Sequence, residues 1–277
     1  MHEGSLQLHP EIQRLSDENA LLREELARLL TEVEDLVHTT KPNLLALYQT
    51  KLGRWELAAL QAQAAVARLR RQVELAQTSL NRGEQPDPVA IEGALELEFL
   101  TWQTKLKEAA ERLQTAEARL QNLLSPADDH ELKKLYYALV KRLHPDLNPN
   151  LTDDQRRLWQ RLQSAYQASD LPELRALALL AEDAAALPPP PKPLETLRQD
   201  QATLRAQITV LLQRVEQIES QPPFTLRAQL DDEAWLAARR QASETQTAAL
   251  RQQADALQAH WQTLVGGTGH GTIAGNN

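Results

Sequence analysis

His144, Pro145 and Asp146 place an imidazole, a rigid ring and a carboxylate in consecutive positions, separated only by Leu143 from the cations Lys141 and Arg142. An imidazole two residues from a carboxylate is half of an acid–base pair, but catalysis needs a nucleophile or a second acid at workable spacing. Neither accompanies it, and neither does a Gly-rich phosphate loop. Metal chemistry fares no better. The other histidines are His2, His9, His38, His130, His260 and His270, none with H-x-x-x-H spacing, and there is no cysteine. What these residue types suit is docking. Proline fixes the shape of a corner, the Asp146 carboxylate can pair with a partner's guanidinium, and the cations steer encounter in a salt-sensitive way. With 7 His and 15 Pro in 277 residues, chance supplies only about 0.02 such tripeptides per chain. No catalytic residue, metal ligand or cofactor is therefore assigned, and the chain is expected not to be an enzyme.

The elements that must position this corner are two short helices. Asp128-Asp129-His130-Glu131 has the form of a capping-box start, and the spacing predicts a helix from there to Leu143. Leu132, Leu135, Leu139 and Leu143 share one side with Val140 flanking, whereas Lys133, Lys134, Tyr137 and Lys141 share the other. Pro145 stops this helix and biases His144 toward an extended conformation. Thr152-Asp153-Asp154-Gln155 is a second capping box, and Leu158, Trp159, Leu162, Ala165 and Tyr166 give the following helix an apolar face. Asp170-Leu171-Pro172 is expected to end it. Two helices of similar length joined by a short loop lie antiparallel, which exposes the His144–Asp146 corner at their tip.

The string from Leu135 to Pro149 (LYYALVKRLHPDLNP) strongly resembles the second helix and HPD loop of J-domains, the defining module of DnaJ-type co-chaperones. The later string from Leu158 to Tyr166 (LWQRLQSAY) is similar to their third helix. About 50 of the 277 residues carry the resemblance. It implies a partner, a DnaK-type chaperone whose ATP hydrolysis is stimulated by docking. It implies that His144, Pro145 and Asp146 form the trigger, that Lys141 and Arg142 dock beside it, and that Lys134 and Lys133 extend the electropositive face. The sequence departs from the family in three ways. The usual first helix is missing, with Leu120, Leu123 and Leu124 available to pack in its place. Tyr137-Ala138 stands where a basic pair is usual. The segment Leu171 to Leu177 replaces the short fourth helix. No Gly/Phe-rich, zinc-binding or β-rich client module follows. The alternative reading is a coiled-coil scaffold carrying an inactive insert of this kind.

The rest of the chain reads as long helices, so the expected fold is all-α and elongated. Ile12, Leu15, Asn19, Leu22, Leu26, Leu29, Val33 and Leu36 recur every 3.5 residues, the mark of a coiled-coil seam. Asn19 at a core position favours a two-stranded parallel pairing. The expectation is a homodimer through Leu15, Asn19, Leu22, Leu26 and Leu29, against folding back on the chain's own helices. Pro42 is expected to break the helix at Lys41. Two further seams, from Leu45 to Leu80 and from Ile91 to Leu123, flank a turn at 81–88 and read as an antiparallel hairpin with Trp55 and Trp102 in its core. A fourth seam runs Leu194, Leu197, Gln201, Leu204, Ile208, Leu211, Val215, Ile218, and a last helix carries Leu236, Leu250, Leu257, Trp261 and Leu264. The expected domains are a coiled coil (1–40), a hairpin (41–124), the HPD module (125–187), a Pro-rich linker (188–193), a second hairpin (194–265) and a disordered tail (266–277).

Composition sets outer bounds. A net charge of −8 gives no broad basic surface, so no nucleic-acid role is expected. No apolar run approaches a membrane span, and Met1-His2-Glu3-Gly4 lacks the order of a secretory signal. The absence of cysteine fits a reducing compartment, and the expected location is cytoplasmic.

Overall fold

The computed structural model describes residues 10–183 and 192–266. In chain order these form α1 (Pro10–Asp35), α2 (Lys41–Tyr48), α3 (Arg54–Asn81), α4 (Pro88–Glu98), α5 (Leu100–Gln121), α6 (Pro126–Leu143), α7 (Asp153–Gln167), α8 (Leu171–Asp183), α9 (Leu194–Glu219), α10 (Arg227–Leu230) and α11 (Glu233–Gly266). No strand occurs among the described residues, so the fold is all-α as expected. None of these helices is long and apolar enough to cross a membrane. Of the linker expected at 188–193 only Lys192 and Pro193 are among the described residues, and of the tail expected at 266–277 only Gly266.

The helix break expected at Pro42 does not occur. Leu36–Thr40 forms a π-helical turn in which the Lys41 N–H bonds back to the Leu36 carbonyl. The wider turn accommodates the proline ring and its missing N–H, and the helix runs on into α2. A second π-turn, Gln49–Gly53, joins α2 to α3. The chain divides into two compact units, Met1–Leu44 with Asn122–Thr225, and Leu45–Gln121 with Leu226–Asn277.

In the first unit α1 lies along α9. Asn19 Nδ2 donates to the Leu197 carbonyl at 2.8 Å near the start of α9, and the π-turn ending α1 still touches α9, so the two helices run in the same direction. The seam residues are the ones buried: Leu15, Asn19, Leu26 and Leu29 on α1, Leu36 in the π-turn after it, and Leu197 and Leu204 on α9, with Leu22, Gln201, Ile208, Leu211, Val215 and Ile218 half-buried. This corrects the sequence expectation. Leu15, Asn19, Leu22, Leu26 and Leu29 were read as joining two copies of the chain, yet their apolar face is occupied from within it. Parallel pairing is present, but α9 is the partner. The C-terminal hairpin expected over 194–265 is also absent, because α9 packs on α1 and α11 packs on α3. α1 and α9 are each 26 residues long, and with Asn19 beside Leu197 the end of α9 runs past α1 to the π-turn that follows it.

Against this pair sits a core of Leu132, Tyr136, Leu139, Val140 and Leu143 from α6, Leu162, Ala165 and Tyr166 from α7, and Leu171, Leu174, Leu177 and Ala181 from α8. Ala27 of α1 completes it, with Leu30 and Leu124 packed at its edge. Of the leucines expected to pack here, Leu124 reaches the edge of the core and Leu123 is exposed; α1 supplies Ala27 and Leu30 instead. Fully burying a side chain such as Leu139 contributes about 1.5–3 kcal/mol. The Tyr136 and Tyr166 rings stack, centroids 3.8 Å apart and planes 20° apart, locking α6 to α7. The segment from Leu171, whose Asp170-Leu171-Pro172 start was expected to end the preceding helix, itself forms α8. Asp170 Oδ1 accepts from the Glu173 N–H at 3.0 Å, and Pro172 falls in the first turn, where its missing N–H costs nothing.

The second unit pairs α3 with α11, and α4 and α5 pack on α3. Its cluster of Ala76, Ile91, Leu95, Phe99 and Trp261 takes in Trp102 at its edge. Gly53 allows close approach of α5, since a Cβ there would lie 3.3 Å from Leu113 Cδ1. Trp55, expected in the core, lies instead at the rim of the α3–α11 pair. Its indole N–H donates to Glu244 Oε1 at 2.9 Å, and the Arg54 and Arg240 guanidiniums lie 3.7 and 5.1 Å from its ring centroid.

Candidate functional site

The His144–Asp146 corner forms as the local sequence requires. α6 starts at Ser125, not at Asp128: the Ser125 hydroxyl accepts from the Asp128 N–H at 3.1 Å and Pro126 opens the first turn. α6 ends at Leu143, where His144 turns extended at φ −70°, ψ 129° ahead of Pro145. α7 begins with the full capping box: Thr152 Oγ1 accepts from the Gln155 N–H at 3.2 Å, and Gln155 Oε1 accepts from the Thr152 N–H at 2.9 Å. Tyr136 meets Tyr166, and His144 meets Trp159, so α6 and α7 are antiparallel.

Two side chains that the sequence did not place in the site hold the corner. Asn148 Nδ2 donates to the Lys141 carbonyl at 2.9 Å, the acceptor that Pro145 has no N–H to fill, and to the His144 carbonyl at 3.3 Å, which also takes the Leu147 and Asn148 N–H groups. Trp159 lies edge-on to the His144 imidazole, centroids 4.7 Å apart with 71° between planes. The Asp146 backbone N–H donates to His144 Nδ1 at 3.1 Å. That bond needs an unprotonated Nδ1, so the neutral ring carries its proton on Nε2. Burial pushes the His144 pKa below its ordinary 6.5, with the Asp146 carboxylate pulling weakly the other way. The result is a half-buried neutral imidazole facing inward, and an exposed Pro145 and Asp146 facing solvent.

The four predicted cations of α6 separate into two rows. Lys133, Tyr137 and Lys141, spaced four apart, face α1. Lys133 Nζ lies 3.0 Å from Asp35 Oδ1 and 3.1 Å from Asp129 Oδ2. Lys141 pairs with Glu24 Oε1, while the Tyr137 hydroxyl donates to Glu24 Oε2 at 2.6 Å. This bond raises the Tyr137 pKa to about 12, and those to Lys141 and Tyr137 lower that of Glu24. Lys134, Ala138 and Arg142 form the neighbouring row. All three are exposed, and no carboxylate among the described residues lies within 4 Å of either cation. This row runs down to Pro145 and Asp146. Of the seven predicted docking residues, Lys134, Arg142, Pro145 and Asp146 therefore share one open surface. His144 supports it, Lys133 braces α6 to α1, and Lys141 sits between the two roles.

Among the described residues no group of three or more histidine and carboxylate side chains converges as metal ligands would. No family model, curated protein or solved structure matches this chain.

Proposed function

We propose that the chain is a J-domain-type co-chaperone that docks on the ATP-bound form of a DnaK-type chaperone and stimulates its ATP hydrolysis. The observation that carries the reading is the rigid, solvent-facing corner Pro145-Asp146 at the tip of antiparallel α6 and α7, continuous with the open cations Lys134 and Arg142. Pro145 fixes the approach, Asp146 offers a carboxylate to a guanidinium, and the cations accelerate encounter with an acidic surface. The module adds no chemical step of its own. The surrounding long helices supply scaffold and tethering surface, and the resemblance of residues 135–149 and 158–166 to J-domains supplies the partner class. A scaffold with an inactive insert is the second reading. It is favoured by the ion pairs that tie Lys133 and Lys141 to α1.

Single-turnover ATP hydrolysis by a DnaK-type chaperone, with and without the full chain, tests the proposal. The wild type accelerates turnover, while His144→Gln and Asp146→Asn do not, at unchanged helicity. No acceleration by the wild type supports the scaffold reading instead.

A further inference from the structure

Glu24 of α1 occupies both hydrogen-bonding groups at the loop-proximal end of the inner row on α6. One carboxylate oxygen takes the Lys141 ammonium and the other takes the Tyr137 hydroxyl, at 2.6 Å. This is the contact an incoming acidic surface would make. The two ion pairs between α1 and α6 differ in kind. Asp35 is 21% exposed and also accepts from the Tyr166 hydroxyl at 3.3 Å and the Thr40 hydroxyl at 2.9 Å, which ties it to the core. Glu24 is 47% exposed, its partner Lys141 is 41% exposed, and its bonds reach only the rim of α6. An exposed pair of this type exchanges readily with solvent and with competing charges.

We propose that α1 carries an intrachain competitor for the docking face: Glu24 holds Lys141 and Tyr137 in place of a partner's carboxylate, and docking displaces it. This rests on the docking reading above and adds regulation to it. Asp35 with Lys133 is the fixed brace, and Glu24 is the exchangeable contact. Lys134 and Arg142 make first contact, and Lys141 joins after Glu24 lets go. Anything that draws the Glu24 face of α1 away raises the affinity of the corner for its partner.

The test is the apparent Kd of the full chain for an ATP-bound DnaK-type chaperone at low salt, for wild type, Glu24→Gln, Lys141→Ala and the double variant. Glu25→Gln is the control, since Glu25 pairs with Arg28 on its own helix. Glu24→Gln is expected to bind about 2–5-fold tighter, the range that loss of one exposed ion pair can release. The gain disappears in the Lys141→Ala background, and Glu25→Gln changes nothing. Unchanged or weaker binding by Glu24→Gln overturns the inference while leaving docking intact. So does an equal gain from Glu25→Gln, which would be a general charge effect. If no form binds, the docking reading itself fails and the competitor with it. Glu24 and Lys141 are exposed and Glu25 is half-buried, and thermal unfolding of each variant verifies the fold.

Discussion

Trp159→Ala is the perturbation that tests whether the corner is built as described. The edge-to-face contact between Trp159 and His144, at 4.7 Å, is worth about 0.5–1.5 kcal/mol. Truncating a half-buried indole adds lost apolar burial at about 25 cal/mol per Å2, for a total of about 2 kcal/mol. The more diagnostic effect is on His144. Its pKa lies below 6.5 because burial disfavours the charged ring, and the nearby Asp146 carboxylate opposes this. Removing the indole admits water and leaves Asp146 in place, so the pKa rises toward or past 6.5. The sign of the linked stability effect is fixed. With its pKa depressed in the folded chain, His144 binds fewer protons folded than unfolded below pH 6.5. Its contribution is therefore present above 6.5 and is lost as pH falls through the folded pKa. In Trp159→Ala the two pKa values converge and this slope flattens. Heteronuclear NMR titration of the His144 ring, with urea unfolding at about pH 7.5 and about pH 5.5, reads both effects. A wild-type His144 that titrates at or above 6.5, or one unmoved by Trp159→Ala, refutes the packing of the corner.

Three further outcomes are expected. Asn148→Ala removes two side-chain bonds from the end of α6 and costs about 1–2 kcal/mol; amide exchange that stays as slow as wild type over 144–148 would contradict it. Ser169→Gly raises stability by about 0.5–1 kcal/mol in urea unfolding, because Ser169 holds φ at 55° after α7, where glycine is unstrained; a loss of stability would show the serine side chain to be needed. Asn19→Leu stabilises the chain by about 1 kcal/mol, because Asn19 is fully buried and its Oδ1 has no partner. A lower unfolding midpoint would mean that its bond to Leu197 outweighs the unpaired oxygen.

Local signals carried the helix ends at the corner well and the global pairing poorly, for one physical reason. Caps and helix ends are set by residues within one turn. The Thr152–Gln155 box and the stop at Pro145 could therefore be read directly, and Pro126 was an available sign that Ser125, not Asp128, begins α6. A 3.5-residue period marks which face of a helix is buried but not what buries it. The α1 stripe therefore fitted a second copy as well as it fitted α9, and α11 fitted α9 as well as α3. Pro42 was misread because a π-turn can carry a helix past a proline, and nothing in the sequence around it announces that turn. The division of the α6 cations depends on Glu24 and Asp35, about a hundred residues upstream, and local spacing could not reveal it. Asn148 and Trp159 acquire their roles only once the corner is closed.

Hydrogen–deuterium exchange on the full chain, with and without an ATP-bound DnaK-type chaperone, reports most directly on the central claim that the α6–α7 corner is a docking surface. The account predicts slowed exchange over the last turn of α6 and residues 144–148, absent with ADP and absent for Asp146→Asn. Protection confined to α4, α5 or α11, or no protection anywhere, would contradict it.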